Sequence, residues 1–352
     1  MLKNEDKSRS TFGLGGPAES GLRHRTSRSG PSSGTQGAGT KVAGDPVTGD
    51  VGFVGLGRMG TAMAGNLAAA GRQVIAYVRR AERIGELAAL GLRPTMDIAD
   101  LFDCSIVISM LPDDRAVREI VFGREDFGVD GLAGGLAPGA IHLSMSTIST
   151  ATASELAGEH ARCGQGYVAA PVFGNPDAAK ARQLFVIAAG AAADVERCRS
   201  IFDVLGQQTF LVGTSPETAN LIKLAGNVMA GATLQIMGEV LALARKRGLD
   251  PRQVLAVLTG SMFGSRVHKL YGDKIAEQHY ATGGFIFPLA LKDVRLALAE
   301  ADAADVPMPS VSVLRDRLIA GIARGYSELD WSALGMLAAE EAGLDREAEP
   351  PR

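Results

Sequence analysis

Strands alternating with helices up to residue 213, a glycine-rich turn after the first strand, and an unbroken helical pattern from 216 to 247 predict the fold class. It is an α/β chain: a doubly wound parallel sheet, then an all-α part, linked by one long helix. The length of 352 residues suits two domains at about 150 residues each. Expected boundaries are a disordered tail over 1–49, a sheet domain over 50–213, a helical domain over 214–340 and a charged tail over 341–352.

The first 49 residues are rich in Gly, Ser, Thr and Arg and carry seven basic against four acidic side chains. So little apolar surface cannot offset the entropy of ordering, which predicts disorder. Recurrent Arg and Ser would suit a targeting segment; Glu5, Asp6, Glu19 and the many glycines speak against one. Val51–Gly57 begins the ordered part as a buried strand ending in glycines, followed by a helix over Met59–Ala70. Further strands are expected at Gln73–Val78, Cys104–Met110, Ala140–Ser144, Gly166–Ala170, Leu184–Ala188 and Thr209–Val212, with helices at Ala81–Leu90 and Arg115–Val121. Ser215-Pro216-Glu217 reads as a helix start, with Ser at the cap and Pro in the first turn. The helix it opens meets no breaker before Gly248, a reach of roughly 48 Å. Its small residues Gly226, Ala230, Gly231 and Gly238 permit close packing against another helix. Helices at Pro251–Leu258, Ser265–Gln278, Ala290–Ala304 and Ser310–Ala323 complete the pattern.

Composition excludes several classes. The net charge of −3 argues against a nucleic-acid partner. No run of 18 apolar residues occurs, so no membrane span is expected. Cys104, Cys163 and Cys198 lie far apart without a CxxC pair, which fits a reducing, cytoplasmic setting. His142, His160, His268 and His279 show no metal-ligand spacing, and no metal is expected.

The G-x-G-x-x-G of Gly55, Leu56, Gly57, Arg58, Met59 and Gly60 stands between a strand and a helix. Gly55 allows the tight turn, Gly57 lets a pyrophosphate approach the backbone at the helix N-terminus, and Gly60 lets helix and strand pack closely. This is the dinucleotide-binding pattern of a Rossmann-type sheet. An NAD site would place a carboxylate at the end of the second strand to accept from the ribose hydroxyl. Arg79 and Arg80 stand there instead, and two guanidinium groups suit a 2′-phosphate. NADP(H) is therefore expected over NAD(H).

The segment Gly52–Leu67 resembles the opening of the β-hydroxyacid dehydrogenases, a family that includes 3-hydroxyisobutyrate dehydrogenase and the glyoxylate/succinic semialdehyde reductases. The resemblance continues in order through Met110–Asp113, Ser146–Ser149, Ala170–Gly174, Lys223–Asn227 and Lys292–Asp293. It implies a cofactor in the cleft between the two parts, and a dimer or tetramer built through the helical part. It implies that Met110, Leu111 and Pro112 lie along the cofactor and that Thr147 lies near nicotinamide and substrate. It also implies that Lys292, at the start of a helix, reaches towards cofactor or substrate, with Asp293 supporting the site, and that Phe285 is a pocket aromatic.

Lys223 and Asn227 are four apart on the long helix and share a face. Lys223 sits among Leu221, Ile222, Leu224 and Ala225, and a partly buried ammonium has a lowered pKa. The resemblance makes Lys223 the catalytic lysine, exchanging a proton with the carbonyl oxygen, and Asn227 a substrate-holding side chain. Where relatives carry Ser-Gly-Gly to bind the substrate carboxylate, this chain has Phe173, Gly174 and Asn175. Losing the hydroxyl points to a larger or less polar substrate. The expected activity is NADPH-dependent reduction of a small aldehyde or keto acid. Two alternatives are an imine reductase or reductive aminase on the same fold, and a non-catalytic cofactor-binding interaction module. Lys223 speaks against the first, although Phe173 would suit its hydrophobic substrates, and Lys223 with Asn227 speaks against the second.

Overall fold

In the computed structural model the described residues are 49–124, 129–282 and 284–344, so the expected tail over 1–49 lies outside them but for residue 49, and of the charged tail expected over 341–352 only 341–344 are described, where Glu341 still closes a helix. The sheet strands are β1 (Val51–Val54), β2 (Val74–Tyr77), β3 (Arg93–Thr95), β4 (Ile106–Ser109), β5 (Ile141–Ser144), β6 (Gly166–Ala169), β7 (Val172–Phe173), β8 (Leu184–Gly190) and β9 (Gly206–Leu211). They run in the order β9-β8-β6-β5-β4-β1-β2-β3, with β7 beside β8. β1, β4 and β5 are buried at every position, as strands covered on both faces must be.

The six strands β1 to β6 pair in parallel, in the doubly wound order 3-2-1-4-5-6. The all-parallel expectation fails at β8, which runs antiparallel to β6 and to β7. Between Ala170 and Gln183 the chain forms only a two-residue strand and the five-residue helix Pro176–Lys180. It turns back there instead of crossing the sheet under a long helix. β3 and β7 were not foreseen; each is too short to show a period.

Helices of eight residues or more are α1 (Arg58–Ala69), α2 (Asp114–Phe122), α3 (Thr150–Arg162), α4 (Pro216–Lys246), α5 (Pro251–Gly260), α6 (Arg266–Ala276), α7 (Phe287–Ala303), α8 (Pro309–Ala323) and α9 (Leu334–Glu341). Ser215 stands at the cap of α4 but makes no side-chain capping bond, so Pro216 and the first-turn acid Glu217 mark that start. Lys292 and Asp293 are not at a helix start: α7 begins at Phe287 with Pro288 in its first turn, and the pair lies in the second. Gly231 packs under Leu314 and Trp331, and Gly238 lies 2.7 Å, at its ideal Cβ, from the Gly335 backbone of α9. These small residues serve close packing within the chain.

α4 is by length and mean hydropathy, 1.3 over its best 18 residues, apolar enough to cross a membrane. The run count missed it because polar residues interrupt the sequence. Half of that stretch is buried inside the molecule, and Asn220, Lys223 and Asn227 are among its buried side chains. Its other face exposes Ile222, Met229, Ile236 and Leu243, seven residues apart.

A buried polar chain runs from β4 and β5 to α3 and the turn that follows it. The Gln165 amide donates to the carbonyls of Ala133 and Leu136 at 3.0 and 2.7 Å, which leaves its oxygen to accept from His160 Nδ1 at 2.7 Å. His160 Nε2 must then accept from His142 Nδ1, at 2.9 Å, and His142 Nε2 from the Ser109 hydroxyl, at 2.8 Å. This pattern is that of two neutral rings, and burial holds both below the ordinary histidine value. Below about pH 6.5 the unfolded histidines take up protons that the folded pair refuses, so stability is lost as pH falls. The expected slope reaches roughly 1.4 kcal/mol per pH unit for each ring. Denaturation midpoints measured from about pH 7.5 to about pH 5, above the carboxylate range, check this, and a flat profile contradicts it.

Candidate active site

Strand order reverses between β1 and β4, so their carboxyl ends open a crevice. The glycines of the first turn are explained one by one. Gly55 has φ +92°, and a Cβ on it would lie 2.3 Å from the Met110 carbonyl oxygen. At Gly60 a Cβ would lie 2.0 Å from the Gly55 oxygen, so α1 packs on the turn only without a side chain. Gly57 has an ordinary φ of −75°, and a Cβ there meets nothing within 4 Å. The protein itself gives no reason for Gly57, and the space beside it is the crevice.

That crevice is a cavity of about 1730 Å³ running from the glycine turn to α4, α6 and α7. Its size exceeds the roughly 300–1,000 Å³ of a pocket for one drug-sized ligand. Its lining includes every residue foreseen as binding or catalytic except Gly60: the turn from Gly55 to Met59, Arg79, Arg80, Met110, Leu111, Pro112, Thr147, Phe173, Gly174, Asn175, Lys223, Asn227, Phe285 and Lys292. Gly60 alone stays behind the lining, where its part is packing.

At one end Arg58, Arg79 and Arg80 are exposed on the cavity, and no guanidinium among the three has a hydrogen-bond or ion-pair partner among the described residues. Arg83 was missed by sequence reasoning. It donates to the Leu56 carbonyl at 3.0 Å and pairs with Glu86 at 2.8 Å, tying the helical turn after β2 to the glycine turn. The spacing of Arg83 and Glu86, three apart, was the available signal.

At the other end the polar groups form a connected set. The Lys223 ammonium donates to Asn227 Oδ1 at 2.9 Å, and Asn227 Nδ2 donates to Asp293 at 2.6 Å. Asp293, 2% exposed, is paired with Lys292 at 2.9 Å. Lys292 also donates to the carbonyls of Pro112, at 2.9 Å, and Thr147. Its charge thus clamps two loops of the sheet part onto α7. Lys223 is buried at 8% exposure and faces the cavity. Burial lowers its pKa to about 8, against the raising pull of Asp293, with Lys292 adding a smaller push downward.

Phe173 lies against this set. Lys223 Nζ sits 4.5 Å from its ring centroid, within cation–π range. A Cβ at position 226 would lie 2.2 Å from the ring, so Gly226 is the gap that seats it. Asn175 caps the five-residue helix by accepting from Ala178 at 2.8 Å. Phe285 stacks edge-on against Trp331 at 4.8 Å, and Tyr271 meets the same indole at 5.9 Å. Trp331, the chain's single tryptophan, was not foreseen as part of the wall.

Comparison with known proteins agrees with this architecture. Residues 50–213 match the profile of the NAD binding domain of 6-phosphogluconate dehydrogenase. Residues 218–338 match the profile described as NAD-binding of NADP-dependent 3-hydroxyisobutyrate dehydrogenase. An uncharacterized oxidoreductase, YfjR, of Bacillus subtilis (strain 168) is 38% identical over 283 residues, covering 80% of this chain and 96% of its own. The 2-hydroxy-3-oxopropionate reductase of Escherichia coli (strain K12) is 31% identical over 285 residues, covering 80% and 94%. The crystal structure of a 3-hydroxyisobutyrate dehydrogenase from Salmonella typhimurium shares the fold, with a TM-score of 0.72 at 23% identity over 82% of this chain and 99% of that one. By motif order, matched length and strand topology together, this chain belongs to the β-hydroxyacid dehydrogenase family of oxidoreductases.

Proposed function

We propose that this protein is an NADPH-dependent reductase of small carbonyl compounds, with Lys223 as the proton donor. The observation that carries the reading is a buried lysine facing a cavity whose far end is a glycine cradle flanked by three guanidinium groups without a partner among the described residues. The residues fit a phosphorylated dinucleotide: Gly57 leaves room for a pyrophosphate at the start of α1, and Arg58, Arg79 and Arg80 supply charge for a further phosphate. Bound there, a reduced nicotinamide supplies the hydride. Lys223 holds a proton for the carbonyl oxygen, and Asn227, fixed by Asp293, keeps the ammonium in place. Lys292 keeps the loops at Pro112 and Thr147 closed against α7. The exposed seam of Ile222, Met229, Ile236 and Leu243 is the surface for self-association through the helical part.

The activity is tested by following NADPH absorbance with a panel of aldehydes and keto acids; no consumption with any of them removes the reading. The cofactor preference has its own test. Each charge-assisted hydrogen bond contributes about 1.5–3 kcal/mol. Changing Arg79 and Arg80 together to Ala is expected to weaken NADPH binding at least tenfold and leave NADH binding unchanged, by fluorescence titration. Equal losses for the two nucleotides contradict the assignment.

A further inference from the structure

We propose that the substrate is a carbonyl compound bearing an aryl or extended apolar group that rests against Phe173, and that Phe173 seated on Gly226 determines this specificity. The inference rests on the reductase reading above and goes further by naming the substrate class.

Lys223 fixes where the carbonyl oxygen is placed, and the walls around that point decide what else the substrate carries. One wall is the Phe173 ring, whose centroid is 4.5 Å from Lys223 Nζ. The ring cannot retreat along α4, because it already fills the space a Cβ at position 226 would take. Phe285, Leu289 and Trp331 line the same cavity. Phe285 is held edge-on by the indole.

The polar groups joined to Lys223 are largely committed to one another. Both ends of the Asn227 amide are in use, with Lys223 and Asp293. The Lys292 ammonium is committed to two carbonyls and to Asp293. The Asn175 oxygen caps its own helix. The buried Asp293 carboxylate adds like charge. The face of a phenyl ring is the negative end of its quadrupole and repels an anion, whereas another ring packs on it edge-to-face or offset. A carboxylate without donors in such a pocket loses its hydration with no return, while an apolar group gains by leaving water.

The test uses the whole protein with NADPH and two matched sets of aldehydes. One set is glyoxylate and succinic semialdehyde; the other is benzaldehyde and phenylacetaldehyde. The expected result is a kcat/KM at least tenfold higher for the aryl set. Phe173→Ser is expected to lower that ratio at least tenfold, chiefly through KM, and Phe173→Leu, which still fills the gap at Gly226, is expected to lower it by less. Wild-type preference for the carboxylate set, or a ratio unchanged in both variants, overturns the inference and leaves the reductase reading standing. Absence of NADPH consumption with all four aldehydes overturns the inference, and absence with the wider panel of aldehydes and keto acids overturns the reductase reading too.

Discussion

Replacing Lys223 with Met is expected to lower kcat/KM for carbonyl reduction by a factor of about 10²–10⁴, the usual contribution of a positioned general acid. NADPH affinity is expected to stay the same, because the lysine lies at the α4 end of the cavity and the glycine turn at the other. The pH dependence carries the same signature. Burial places the ammonium near the working range, at about 8. Reduction needs the charged form, so its rate is expected to fall as pH rises through about 8. Alcohol oxidation needs the neutral amine, so its rate is expected to rise with pH up to the same point. Measured pH–rate profiles in the two directions decide the matter: a reduction rate that stays level well above pH 8 removes Lys223 as the donor.

The second large effect separates two glycines three residues apart. Gly57→Ala places its Cβ where nothing in the protein lies within 4 Å, at an ordinary φ. Folding stability is expected to be unchanged or raised by a few tenths of a kcal/mol, since alanine reduces the freedom of the unfolded chain. The same methyl enters the space reserved for the pyrophosphate, and NADPH binding is expected to weaken by about 10–100-fold, as for an overpacked contact of about 1–3 kcal/mol. Gly60→Ala does the reverse. Its Cβ lies 2.0 Å from the Gly55 oxygen and 3.0 Å from the Phe53 ring, so α1 must shift. A loss of about 1–3 kcal/mol in stability is expected. Calorimetric binding and denaturation midpoints on the two variants check both; a Gly57→Ala protein that binds NADPH normally contradicts the cradle.

Much of this architecture was readable before any coordinates. The strand–turn–helix unit from Val51 to Ala69 and the long helix ending before Gly248 each came out within a residue or two of their observed limits. The reason is that burial on both faces, helical period and glycine punctuation are local signals. Lys223 and Asn227 were also legible as a pair, since four-residue spacing on a helix brings two side chains together wherever that helix packs. Arg83 and Trp331 were not. One acts through a backbone carbonyl 27 residues away, and the other joins Phe285 across 46 residues, separations that no period records.

By itself the sequence determined the local elements, the glycine turn and the family, because each is encoded in neighbours along the chain. Tertiary structure decided the rest. The reversal of β8 follows from how little chain separates it from β6. Lys292 is committed to the Pro112 and Thr147 carbonyls because α7 docks against those loops. Phe173 comes to lie beside Lys223 because Gly226, on a helix some fifty residues further on, leaves the hole that receives it. Close packing joins groups by distance in space, and a missing side chain on one element has meaning only once another element is pressed against it.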